Sequence, residues 1–405
     1  MKYLIPLFVI TLSWINILFS QEKYILKNAN IIDGINPKVK TNYNILVNEG
    51  KIEDITKNSR ILDGYKEIEA DGMYILPGFI DSHTHIRSLD AARRALESGV
   101  TTARSASTPN YQDISIREMV KKNKIIGPDM VAAGVFVTPN LGETILADTR
   151  LVEFKEGLKT EKALRSVVKI NADRGVDFIK TRGTERAGLP YTDPRKQTYT
   201  ENELRIIVDE AAKYNIPVMA HAHGDEGGYA AVKAGVRSIE HGTYLSERTL
   251  KLMKTMGTYL VPTYTTVVDL TEPGGDYDNP TLIIRGQHML PALERTIKSA
   301  YEMGIKISTG ADTGYGPNSI TRVGMEVTHF VNLGMTPMDA IKSATIIGAE
   351  LLGIDNQTGT IEVGKEADLI FVTQNPLEDI RTIQDVVFVM NNGRIGLNRL
   401  PFSKE

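Results

Sequence analysis

The 405-residue chain contains no cysteine. Disulfides, thiolate zinc sites, a cysteine nucleophile and a lipid anchor on cysteine are thereby excluded. Any metal must be held by His, Asp, Glu or a less usual ligand. Histidine is scarce, with 7 in the whole chain. An excess of one charge is missing too: 47 Lys and Arg against 50 Asp and Glu leave a net −3. No basic run offers a nucleic-acid face. Internal repeats and low-complexity tracts are absent. The one long apolar run, Leu4 to Phe19 in "MKYLIPLFVITLSWINILFSQEKYI", falls short of the roughly 18–20 residues that span a membrane. It follows a single lysine and precedes Ser20, the pattern of a secretory leader. The expectation is a cleaved export signal over residues 1–20 and no stable membrane anchor. A hydrophobic content of 41% with 24% charged residues is that of a globular protein.

Short β-rich runs bracket the chain: "KYILKNANIID" and "YNILVNEGKIEDI" near the start, "KEADLIFV" and "VVFVMNNGRI" near the end. Glu49-Gly50 and Asn392-Gly393 mark tight turns within them. Neither set is long enough to bury a core alone, so a composite β-sandwich domain is expected from residues 21–75 plus 358–405.

Between them, over residues 76–357, apolar strands alternate with amphipathic helices. The strands are "YILPGFID", "VTTARSA", "DMVAAGVFV", "VDFIKTRG", "IPVMAHAHG", "RSIEHG", "TYLVPTYT" and "GIKISTGAD". Thr200 and Glu203 form a capping box ahead of one helix. Another helix is expected over "TPMDAIKSATIIGAELLG", with Thr336 as N-cap, Pro337 at its first position and Gly353 past its end. Eight such alternations predict an α/β fold, a (β/α)8 TIM-like barrel.

In such a barrel, function sits at the C-terminal strand ends. In "PGFIDSHTHI" the period of two puts His83 and His85 on one face. A lone His-x-His serves equally as a solvated polar strand end. Here, however, His221, His223 and His241 also fall at strand ends, as do Lys180 and Asp312. His288 and His329 lie within helical stretches and read as structural.

The ordered set "PGFIDSHTH", "GVTTAR", "GVDFIK", "VMAHAHG", "SIEHG", "VPT", "GAD" and the tail "GTIEVGKEADL" resembles the amidohydrolase superfamily, in its imidazolonepropionase-like and prolidase-like branch. The resemblance implies two divalent metals, zinc foremost, with manganese or cobalt as substitutes. It gives His83, His85 and Asp312 to one metal and His221 and His241 to the other. Lys180 becomes the CO2-derived carboxylated bridge, and Asp312 the general base and then acid. It also implies hydrolysis of an amide C–N bond by a metal-activated hydroxide. The substrate would be a small peptide-like amide: a dipeptide, Xaa-Pro among them, or an N-acyl amino acid. Two alternatives stand beside this reading: a mononuclear cyclic amide or amidine hydrolase with Lys180 unmodified, and a ligand-binding barrel without turnover. A homo-oligomer is compatible with all three.

The sequence departs from the resemblance at two places. Ser105 stands where many relatives carry an acid, and "GVFVTPNLGET" lacks their Gly-His-rich loop. Substrate contacts are expected instead from His223, Arg182 and Tyr264.

Overall fold

A computed structural model describes residues 22–58 and 63–400. The expected leader, residues 1–20, lies outside them.

The chain opens with β1 (Lys23–Ile31), β2 (Lys40–Asn48), β3 (Lys51–Thr56), β4 (Tyr65–Glu69) and β5 (Tyr74–Pro77). It then runs through β6 (Phe79–Thr84), β7 (Val100–Ser105), β8 (Asp129–Val131), β9 (Ile179–Arg182), β10 (Val218–Ala222), β11 (Ser238–His241) and β12 (Tyr259–Val261). It closes with β13 (Leu369–Val372), β14 (Val386–Asn391) and β15 (Arg394–Asn398).

The terminal strands share one eight-stranded sheet in the order β15-β14-β13-β5-β1-β2-β3, with β4 beside β1. Both expected turns form: Glu49-Gly50 and Asn392-Gly393 all take positive φ, between 49° and 79°. The sheet carries its own apolar cluster, including Leu26, Ile45, Ile75, Leu369 and Phe388. That cluster is lined by this sheet and its connections alone.

The middle of the chain forms two parallel sheets, β6-β7-β8 and β12-β11-β10-β9. Helices follow most of these strands, and their apolar faces join the main core, which holds Val167, Ile207, Leu250, Leu293 and Ile341. Three expectations are revised here. The run "YILPGFID" is two strands, because β5 belongs to the terminal sheet and β6 starts a parallel one. The chain crosses at Gly78, where a Cβ would lie 2.2 Å from Thr101 Oγ1, so only glycine passes there.

The eighth segment, around 305–312, forms no regular strand. It is nevertheless bonded on both sides. Ser308 N donates to Leu260 O at 2.9 Å, and Ser82 N donates to Thr309 O at 3.0 Å.

The helix expected from Thr336 to Gly353 is broken into Pro337–Ser343 and Ile346–Leu352. At the break the carbonyls turn outward. Ser343 O accepts from Thr309 N at 3.0 Å, and Ala344 O accepts from Ile80 N at 2.7 Å. The helix gives up internal bonds to satisfy two neighbouring segments. The Thr200 capping box and the Thr336 cap both form as expected. Among the described residues no helix is long and apolar enough to cross a membrane.

Candidate active site

The C-terminal ends of the parallel strands surround a cavity of about 330 Å³. His83, His85, Lys180, His221, His223, His241 and Asp312 all line it. Two donor groups stand out. Ligand atoms of His83, His85 and Asp312 lie within 4.8 Å of one another, and so do those of His221, His223 and His241.

Each histidine has one nitrogen held by the protein. His83 Nδ1 lies 2.6 Å from Glu240 Oε2, and His85 Nδ1 lies 2.9 Å from Ser107 O. His221 Nε2 is 3.0 Å from Glu185 O. His241 Nδ1 and His223 Nδ1 meet the hydroxyls of Thr263 and Thr243 at 2.7 and 2.8 Å. A carbonyl or carboxylate acceptor requires an N–H, so a neutral ring at His83 or His221 leaves the lone pair of His83 Nε2 or His221 Nδ1 free. This is the arrangement in which outer partners orient metal-binding imidazoles. His83 Nε2 and His85 Nε2 approach Asp312 Oδ1 at 3.4 and 3.2 Å.

Burial sets the charges. It pulls His83 down to about 4 and His223 to about 3, and holds His221 and His241 well below the usual imidazole range. All four are therefore neutral donors near pH 7. Burial works against ionisation of Asp312, but His83, His85 and Lys180 outweigh it and hold the carboxyl below its ordinary range. Burial also lowers the Lys180 amine to about 8, against the raising influence of Glu240 and Asp312. Lys180 Nζ is buried and has no hydrogen-bond partner among the described residues.

Two of these residues sit in unusual backbone. His241 has φ 73° and Asp312 φ 43°, both left-handed. Such positions cost about 1–3 kcal/mol each and cluster at functional sites.

Of the three expected substrate contacts, only His223 lines the cavity. The Tyr264 hydroxyl donates to Glu294 at 3.0 Å, away from it. The Arg182 guanidinium lies over the Phe136 ring, 4.4 Å from its centroid. His288 and His329 stand outside the site, beside Tyr244 and Tyr264 respectively.

Sequence reasoning missed other residues. Arg104, fully buried, donates to Glu240 at 3.0 Å and to Ser82 O at 2.7 Å. The signal was present: Arg104 and Glu240 are charges inside the apolar runs "VTTARSA" and "RSIEHG". Arg87, Arg186 and Tyr277 also line the cavity. Asp312 first, and burial second, push the Tyr277 phenol well above its usual range. Tyr277 comes from "EPGGDYDNP", whose composition marks only a loop. From "GVFVTPNLGET", Phe136 and Thr144 line the wall.

The sequence and fold have counterparts among known proteins. The chain is 26% identical over 367 residues to an ochratoxinase from Aspergillus niger, covering 79% of this chain and 75% of that protein. It is 23% identical to an imidazolonepropionase from Thermoanaerobacter pseudethanolicus, covering 81% and 83%. Its fold matches the crystal structure of a Xaa-Pro dipeptidase with bound methionine in the active site. That match has a TM-score of 0.81 and 28% identity, and covers 92% and 99% of the two chains. The model of the amidohydrolase family matches residues 74–396. With that match spanning most of its length, the chain belongs to the amidohydrolase family and is a hydrolase acting on carbon–nitrogen bonds.

Proposed function

We propose that the chain is a binuclear metal-dependent amidohydrolase that cleaves the C–N bond of a small peptide-like amide carrying a free carboxylate. The observation that carries this reading is the pairing of two donor groups in one cavity with a buried lysine that has no hydrogen-bond partner among the described residues. His83, His85 and Asp312 form one group, His221 and His241 anchor the other, and Lys180 Nζ stands unpaired beside them. The donors fit divalent metals of the zinc class: imidazoles, with those of His83, His221 and His241 kept neutral by burial, and an ionised carboxylate. A buried, unpaired amine is also suited to react with CO2, losing a proton and gaining an anionic carbamate that could join the two groups.

Bound there, the metals would supply Lewis acidity toward water and toward the scissile carbonyl. The chain's own residues do the rest. Asp312, held ionised, accepts a proton from water and returns it to the leaving nitrogen. Glu240 and Ser107 O fix the rings of His83 and His85. Arg186 and Arg87 on the cavity wall take the place of Arg182 and Tyr264 as receivers of a substrate carboxylate. Apolar Phe136, Val267 and Leu270 leave room for an aliphatic side chain.

Three further readings go with this one. The two parallel sheets and the 305–312 segment are read as one closed (β/α)8 barrel over residues 76–357, with the terminal sheet folded as a sandwich. Residues 1–20 are read as a cleaved export signal, placing the enzyme where extracellular peptide fragments are met. A peptide substrate is in keeping with the similar solved structure that is named a Xaa-Pro dipeptidase. The test is a panel of dipeptides and N-acyl amino acids incubated with zinc-loaded protein, with and without bicarbonate. Hydrolysis of carboxylate-bearing amides is expected. Turnover of cyclic amides alone would overturn the reading.

A further inference from the structure

Residues 184–197 leave β9 and return as a loop closed at its base by the Thr184–Gln197 bridge and by Glu185 N donating to Lys196 O at 2.9 Å. The loop borders the cavity and brings Arg186, Ala187 and Gly188 into its wall. A short polar segment of this kind has little apolar surface of its own to hold it in place. Besides internal bonds, among them Asp193 N to Glu185 Oε2 at 3.0 Å and Lys196 Nζ to Glu185 Oε1 at 2.8 Å, it is restrained from outside.

Arg285 lies on the long helix Pro280–Glu302. Its guanidinium donates to four backbone carbonyls of this one loop: Ala187 O, Leu189 O at 2.6 Å, Pro190 O at 3.2 Å and Thr192 O at 2.6 Å. The helix beneath is itself firmly seated, with Leu282, Met289 and Leu293 buried in the core. Past the tether, the loop meets Tyr277 at Gly188, where a Cβ would stand 2.8 Å from the tyrosine Cε1. The 271–279 loop carrying Tyr277 is tied down as well. Ser319 Oγ, which meets Thr313 Oγ1 at 2.8 Å, bonds Asp276 at 2.7 Å. Two loops that both line the cavity therefore meet at Gly188 and Tyr277, each held by a residue outside it.

We propose that Arg285 is a positioning residue: by gathering the carbonyls of residues 187–192 it fixes this loop as the roof of the cavity and holds Arg186 on its wall. Four acceptors on one planar cation demand a fork of fixed geometry. Arginine supplies it and the compact lysine ammonium does not. A roof held in this way caps the room above the reacting bond and favours short substrates with a terminal carboxylate near Arg186. The substrate part of this inference rests on the proposed function; the tether does not.

The test uses the full chain with Arg285→Ala and Arg285→Lys, read by hydrogen–deuterium exchange and by kinetics. In Arg285→Ala, amides of Glu185, Asp193 and Lys196 should exchange at least about tenfold faster, while those of β10 and β11 keep their protection. Arg285→Lys should fall between Ala and wild type. It also serves as the comparison should Arg285→Ala fold poorly. For a dipeptide, KM should rise by about tenfold with a smaller fall in kcat, and the preference over its C-terminal amide should shrink. Loop exchange within about twofold of wild type in both variants would overturn the tether. Faster exchange with KM unchanged would overturn its role in positioning. If no dipeptide is cleaved by the wild type, the exchange result still decides the tether, and only the proposed function fails.

Discussion

His83 Nδ1 lies 2.6 Å from Glu240 Oε2, and the same carboxylate accepts from Arg104 at 3.0 Å. A strand-end histidine is thus oriented by an acid that is itself neutralised by a fully buried arginine. Burial favours the protonated acid, but Arg104 first and His83 next outweigh it and hold Glu240 down at about 2.

Removing one charge of that pair strands the other. Glu240→Gln should lower unfolding free energy by about 3–5 kcal/mol, the usual cost of breaking a buried ion pair. Combining it with Arg104→Met should recover part of the loss. Denaturant titration of the single and double variants checks this, and equal destabilisation in both would argue against the pairing.

Asp312→Asn should keep the fold while cutting turnover by about a hundredfold or more. The substitution suits the position, because φ is 43° and asparagine tolerates left-handed backbone. Steady-state kinetics with a melting curve separates lost proton transfer from lost structure.

Asp368, buried in the terminal sheet, accepts from Asn392 N at 2.8 Å. Burial, with nearby Asp129 behind it, pushes its carboxyl up to about 7. The folded chain therefore keeps a proton that the unfolded chain loses above about pH 4. This contribution to stability is complete below about pH 4 and disappears as pH rises through about 7. Asp368→Asn retains an acceptor without the charge. Its Tm should fall less than that of wild type between about pH 5 and pH 8, as differential scanning calorimetry would record.

Arg186→Ala should reduce kcat/KM on free-acid substrates by about ten- to a hundredfold, the worth of a hydrogen-bonded charge, and spare their amides. Tyr264→Phe removes a hydroxyl that faces Glu294 and should leave turnover near wild type. Parallel kinetics on a dipeptide and its amide distinguish the two.

Much of the architecture was legible because it rests on local rules. Short apolar runs alternating with amphipathic stretches placed the parallel strands, and caps such as Thr200 marked helix starts. The failures have a common cause. Gly78 splits a continuous apolar run, and the Thr336 helix breaks at Ala344, because distant partners claim those backbone positions. The same holds at the site. Strand ends gathered seven candidates into one cavity. Which neighbouring side chains turn inward is instead set by tertiary packing: Arg182 lies over Phe136, while Arg186, four residues on, lines the cavity. Tyr277 arrives on a loop whose sequence carries no periodic signal.

The central claim is that Lys180 joins two donor groups into one binuclear centre. Metal content of active, extensively dialysed protein tests it most directly, measured beside Lys180→Ala and beside that variant supplied with short-chain carboxylic acids. The expected result is about two divalent metals per wild-type chain, fewer in Lys180→Ala together with loss of activity, and partial recovery of both with the added acid. A fully active wild type holding about one metal, with Lys180→Ala unchanged in content and turnover, would contradict it.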